Sequence, residues 1–150
     1  MNVHLVLFFT RGVSLRTWAM VGMLEREAAI YRYLIDKGAA VSFVTYGDAS
    51  DLAYSKVLGK IDILCNTAGK PLEVYEQDIL ELHARALAGA DIIKTNQTYG
   101  ARTALNVARH LAKRFIARCG YMWSANASRE HGANSPQAQE AFSTEHEVFS

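Results

Sequence analysis

The sequence predicts an α/β domain in which a mostly parallel sheet is sandwiched between two layers of helices. Three observations predict it. Residues 3–46 read as strand, glycine-bearing turn, long helix, glycine and strand, a βαβ opening. The same alternation continues through three further strands. The strands are short, nearly unbroken apolar runs of the kind found where both faces of a sheet are covered. The segments between them are long enough for parallel crossovers.

Val3–Phe9 is the first strand, with Leu5, Val6, Leu7, Phe8 and Phe9 in an apolar run that His4 interrupts as a structural or edge residue. Thr10–Ser14 is the turn that leaves it. A helix is expected over Leu15–Asp36, with Met20, Val21, Leu24, Ala28, Tyr31 and Ile35 on one side. Ser14 reads as its N-cap and Gly38 as its left-handed terminator. Glu27 lies beside the apolar stripe, either as a boundary residue paired with a neighbour or as a carboxylate supporting a site.

Val41, Phe43, Val44 and Tyr46 mark the second strand, followed by a turn over 47–51. Leu52–Gly59 carries few signals, compatible with a helical turn or a weak strand. Ile61, Ile63 and Leu64 form a short third strand, and 66–71 a loop. A helix over Val74–Ala88 turns Tyr75, Ile79, Leu82, Ala86 and Leu87 inward. Ala90–Lys94 is the fourth strand, and Thr95–Gly100 its exit loop.

Ala101, Ala104, Leu105, Ala108, Leu111 and Ala112 give the next helix a small-residue face, with Arg102, Asn106, Arg109 and Lys113 toward water. Phe115–Ala117 is the fifth strand, and 118–124 reads as a loop that seals the core or lines a groove with its two aromatics. Ser135-Pro136 is an N-cap followed by the first helical position. Ala138, Phe142, Glu145 and Phe149 then share a partly apolar face, as expected of a helix cut before its packing partner.

One domain over residues 1–150 accounts for the length, with half its residues apolar. The net charge of +1 offers no electrostatic case for nucleic acid. No window is apolar for long enough to span a membrane. The apolar N-terminus reads as a strand rather than a signal peptide, so a cytoplasmic location is expected. Asn96-Gln97-Thr98 and Asn126-Ala127-Ser128 then match the glycosylation pattern by chance. Cys65 and Cys119 suggest neither a disulfide scaffold nor a metal motif.

The layout is that of a Rossmann-like three-layer αβα sandwich with expected strand order 3-2-1-4-5. The order reverses between strands one and four, and ligands of such sheets bind at the carboxyl ends there. The first, fourth and fifth strand exits, 10–14, 95–100 and 118–121, form the mouth of that cleft. Several chemistries lack their motif. There is no Gly-x-Gly-x-x-Gly turn, no Gly-x-x-x-x-Gly-Lys-Ser/Thr loop and no Gly-x-Ser-x-Gly elbow. The five histidines show no zinc-ligand spacing.

What remains at the mouth is polar and cationic: Arg11, the amides around Gly12, Ser14, Asn96, Gln97 and Arg118. Helix N-termini favour anions, and arginine offers a planar fork to phosphate or carboxylate. Serine and side-chain amides suit hydroxyl-rich ligands. This composition fits a sugar near a phosphate. It equally fits a tight turn at Gly12, a cap at Ser14 and a surface ion pair at Arg118.

Thr10-Arg11-Gly12-Val13-Ser14-Leu15-Arg16-Thr17-Trp18, continuing through Gly22-Met23-Leu24-Glu25-Arg26-Glu27 to Tyr31, resembles the N-terminal domain of a GT-B glycosyltransferase of family 4, the glycogen-synthase-like group. Val44–Gly47, Ile92–Gln97 and Arg118–Tyr121 strengthen the likeness, which covers nearly the whole chain. The resemblance implies one half of a two-domain enzyme. A C-terminal donor-binding domain, absent from this chain, would face it across a cleft, and this half by itself would be inactive.

The reaction so implied is metal-independent, retaining transfer of a glycosyl group from a nucleotide-sugar to an acceptor hydroxyl, with no cofactor. Arg11, Gly12 and Ser14 would then face the donor diphosphate. Asn96, Gln97, Arg118, Gly120 and Tyr121 would bind sugar or acceptor. Many relatives carry a histidine after the fourth strand. Thr95, Asn96 and Gln97 stand there in this chain, so His131, in an expected loop, is the candidate for a catalytic role. A lipid acceptor would place the enzyme peripherally at the inner membrane surface, and an exposed domain face would allow self-association.

Competing classes fit less well. A flavodoxin-type phosphate loop would be richer in Ser and Thr than residues 10–14, and a response regulator would end its first strand with a carboxylate. A non-catalytic sugar- or nucleotide-binding α/β module remains the principal alternative.

Overall fold

The computed structural model describes residues 2–150. Its elements run β1 (His4–Phe8), α1 (Leu15–Met20), α2 (Leu24–Asp36), β2 (Ala40–Val44), a 3-10 segment (Ala49–Tyr54), α3 (Ser55–Leu58) and β3 (Asp62–Leu64). They continue with α4 (Leu72–Leu82), α5 (Ala84–Ala88), β4 (Ile92–Thr95), α6 (Ala101–His110), β5 (Arg114–Ile116), α7 (Trp123–His131) and α8 (Pro136–Phe149).

The strands form one sheet in the order β3-β2-β1-β4-β5, and every pairing is parallel. This is the three-layer α/β sandwich that the alternation predicts, a generic Rossmann-like arrangement. Strand alternation assigns the two cores. Leu5, Leu7, Phe9, Val41 and Phe43 face α1 and α2, where they meet Leu15, Trp18, Ala28 and Tyr31. Val6, Phe8, Val44 and Ile93 face the opposite layer and meet Tyr75, Ile79, Leu87, Ala104 and Ala108. The first core is partly aromatic: Phe9 stacks on Trp18 with centroids 4.0 Å apart, and Tyr31 meets Phe43 edge-on at 5.1 Å.

Several expectations about helices require correction. The helix expected over 15–36 is two helices, broken at Gly22, whose φ of 72° is left-handed. The break resets the helical phase, so Leu15 and Trp18 form the buried side of α1 while Met20 and Val21 project into solvent. The helix expected over 74–88 is likewise interrupted, at His83, which turns onto Tyr75 and leaves Leu82 exposed. Residues 123–124, expected as loop, begin α7.

In α8 the buried side is Ala138, Ala141, Thr144, Glu145 and Val148, while Phe142 and Phe149 are exposed. Small residues let α8 approach α7 closely, and its carboxylates dictate the rest of its docking. Glu147 pairs with Arg102 and Arg109 at 2.8 Å each, and Glu140 also pairs with Arg102. Arg109 is exposed, as expected, and Arg102 partly so, and both also tie α6 to α8. Buried Glu145 accepts from the Ser124 amide at 3.0 Å and so caps α7. Among the described residues no helix is long and apolar enough to cross a membrane.

Candidate functional site

The strand ends carry three groups of polar side chains. The first surrounds the β1 exit. Gly12 takes a left-handed φ of 77°, and the turn closes through the Val13 amide on the Thr10 carbonyl at 2.9 Å. Ser14 caps α1 through the Thr17 amide at 3.0 Å, in a reciprocal capping box. The Leu15 and Arg16 amides donate to the buried Asp51 carboxylate at 3.1 and 3.3 Å, and the Thr45 hydroxyl donates to it at 2.6 Å. Asp51 is therefore the anion at this helix end, supplied by the chain itself. Arg11 is engaged too: its Nε donates to both oxygens of Glu76 at 3.0 Å.

The second group joins the β4 and β5 exits to α2. Thr95 Oγ1 accepts from the Arg118 amide at 3.1 Å, and Asn96 Oδ1 from the Arg118 guanidinium at 3.0 Å. Gln97 accepts from the Gly120 amide at 2.8 Å. From the facing helix Glu27, its side chain only 14% exposed, reaches Arg118 at 3.5 Å. Beside them Lys94 donates to the Tyr31 hydroxyl at 3.1 Å and to the Thr95 carbonyl at 3.3 Å. Burial holds the Lys94 ammonium below its usual range, Arg118 adds to this, and Glu27 opposes it. Burial also raises the Tyr31 phenol to about 12. Two cations thus lie close together beside the switch between β1 and β4, steadied by one carboxylate.

The third group lines a cleft of about 950 Å³ between the strand exits and helices α6, α7 and α8. It brings together Arg11, Tyr121 and His131 of the residues singled out from sequence, with Tyr99, Trp123 and Asn126. His131 is the last residue of α7 rather than a loop residue. It is exposed, with Nε2 3.8 Å from a Glu130 carboxylate oxygen. Gly12, Ser14, Asn96, Gln97, Arg118 and Gly120 do not line this cleft.

Sequence reading missed Lys94 and Asp51. Each carried a signal: a lysine at the end of an apolar strand, and an acid three residues after another in a strand-exit turn. Glu27 answers to both readings: it pairs with its neighbour Arg26 at 3.0 Å and its other oxygen reaches Arg118 at 3.5 Å. Among the described residues no group of three or more His, Cys, Asp or Glu side chains is placed to hold a metal ion. Comparisons with family models, with curated proteins and with solved structures returned no match.

Proposed function

We propose that this chain is the N-terminal half of a GT-B glycosyltransferase of the family 4 type, acting in the cytoplasm. In the complete enzyme it transfers a glycosyl group from a nucleotide-sugar to an acceptor hydroxyl with retention of configuration. The observation that carries this reading is the pairing of Arg118 with Asn96 and Glu27 beside half-buried Lys94, at the carboxyl ends of β4 and β5. Asn96 and Glu27 orient the guanidinium and leave donors for a ligand anion. Lys94 adds positive potential in a place that water screens poorly.

Charge of this kind, fixed before reaction, favours departure of a nucleotide diphosphate as the sugar becomes cationic. The missing half would supply the rest of that field and hold the donor. The isolated chain is inactive in this reading because it carries one wall of the cleft.

The test is nucleotide release and transfer by the complete reading frame with a panel of UDP-, GDP- and ADP-sugars. Release that needs both halves and falls about a hundredfold in Arg118→Ala supports the proposal. Binding of panel members without release, in wild type and with both halves present, transfers the reading to a non-catalytic sugar- or nucleotide-binding module.

A further inference from the structure

We propose that the cleft between α6, α7 and α8 is a binding site for a neutral pyranoside, the terminal sugar of the acceptor. Its identity as the acceptor rests on the glycosyltransferase reading; the binding itself does not.

The cleft has the three properties such a ligand needs. Its size, about 950 Å³, admits one or two sugar rings. Its wall carries an aromatic corner: the rings of Tyr99 and Trp123 have centroids 4.8 Å apart and planes 58° apart. At that tilt the rings do not form a closed stack, and aromatic surface suits the C–H face of a pyranose. Three of its polar side chains are amides without protein partners. Asn106 and Gln137, both exposed, and half-buried Asn126 line the cleft, and among the described residues no protein group holds their side chains, which leaves them open to a ligand. Each offers one acceptor and two donors, matching a sugar hydroxyl, which both gives and takes. The amides of Asn66, Asn96 and Gln97, by contrast, are engaged within the protein.

Charge argues against a nucleotide or a phosphate here. The cleft's two arginines are already paired, Arg11 with Glu76 and Arg102 with Glu140 and Glu147. Arg11, Arg102, Glu76, Glu130 and Glu140 line it, so acids outnumber arginines by one. A lipid tail would need a continuous aliphatic wall, whereas the lining is dominated by polar and aromatic residues. The spacing on α7 supports a single surface: Trp123, Asn126, Ala127 and Glu130 fall on one helical face.

The probe is a panel of methyl glycosides of glucose, galactose, mannose and N-acetylglucosamine. Binding is followed by saturation-transfer NMR and tryptophan fluorescence, with uridine diphosphate as competitor. At least one glycoside is expected to bind with a Kd on the order of 1 mM, uncompeted by the diphosphate. Trp123→Ala should weaken it about tenfold, and Asn126→Ala and Gln137→Ala severalfold each. Should Trp123→Ala lose its fold, the two amide variants decide.

Binding unchanged in the folded variants, or displacement by the diphosphate, overturns the assignment, as does failure of the whole panel to bind. Glycoside binding without nucleotide release by the complete reading frame leaves the pyranoside site standing and removes the transferase. Transfer with an acceptor KM unchanged in Asn126→Ala leaves the transferase standing and overturns the identity of this cleft as the acceptor site.

Discussion

A β-carbon placed on Gly47 would lie 2.2 Å from Oδ2 of Asp51, so the strand-exit glycine and the buried carboxylate occupy one position between them. Asp51 in turn holds the first turn of α1 and the Thr45 hydroxyl. Both residues therefore matter to stability through the same few ångströms. Asp51→Ala leaves two helix amides and a hydroxyl without their acceptor, a loss of about 2–4 kcal/mol. Gly47→Ala should destabilise by a comparable amount through the clash. In the Asp51→Ala background the added methyl has space, so the double variant should be more stable than the sum of the two losses. Urea titration of the four proteins checks this, and strict additivity would refute the steric coupling.

Two left-handed glycines separate conformational strain from crowding. Gly12→Ala meets nothing within 4 Å, so its cost comes only from the φ of 77°, about 1 kcal/mol. Gly100→Ala carries the same kind of strain at φ 83° and also sets its β-carbon 2.7 Å from that of Arg11. Its loss should exceed that of Gly12→Ala by about 1–3 kcal/mol. Thermal denaturation ranks them, and equal losses would show that the Arg11 backbone yields freely.

Half-buried His83 predicts a pH dependence of folding. The Tyr75 hydroxyl donates to the Thr45 carbonyl at 2.9 Å, so His83 Nε2, also 2.9 Å away, is the donor to the phenol oxygen. Burial lowers the His83 pKa. The unfolded chain therefore takes up this proton first as pH falls. The contribution of His83 to stability is whole above about pH 6.5 and is lost as pH drops through the folded value. His83→Gln keeps a donor and removes the titration. The decline in unfolding free energy between about pH 7.5 and 5 should be shallower in this variant. Parallel declines in the two proteins would rule the histidine out as their source.

Arg118 should matter to ligands more than to the fold. Its side chain is 42% exposed, and its ion pair with Glu27 is long at 3.5 Å. Arg118→Ala is expected to change stability by less than about 1 kcal/mol. Arg118→Lys retains charge but not the planar fork held by Asn96, and should recover only a small part of nucleotide release. Full recovery by lysine would mean that charge alone is used, and that the Asn96 contact is incidental.

The sheet was legible because each strand is an apolar run bounded by glycine or polar turns, and a parallel α/β chain has few topologies open to it. The order β3-β2-β1-β4-β5 follows from that restriction. Helix ends at Ser14 and Ser135 were legible for a similar reason, since capping is local chemistry between residues three apart. The grouping of Thr95, Asn96, Gln97, Arg118 and Gly120 was partly visible, because two strand exits on one edge of a sheet must lie near each other.

What tertiary structure decided was the partner of each charged group and the phase of each helix. Glu27 meets Arg118 across 91 positions, and Asp51 reaches α1 across 36. No periodicity carries such pairs, because they depend on how layers pack rather than on neighbours along the chain. Helical spacing placed Arg102 and Arg109 toward water, where Arg109 does lie exposed, but it could not show that the glutamates of α8 meet them there. Met20 and Val21 looked buried until a single left-handed residue, Gly22, rotated α2 away from the phase of α1. The cleft that unites Arg11 with Tyr121 and His131 is of the same kind. The sequence by itself determined the sheet and its turns through local propensity and polarity, whereas the sites arose where distant elements had to satisfy one another's charge and volume.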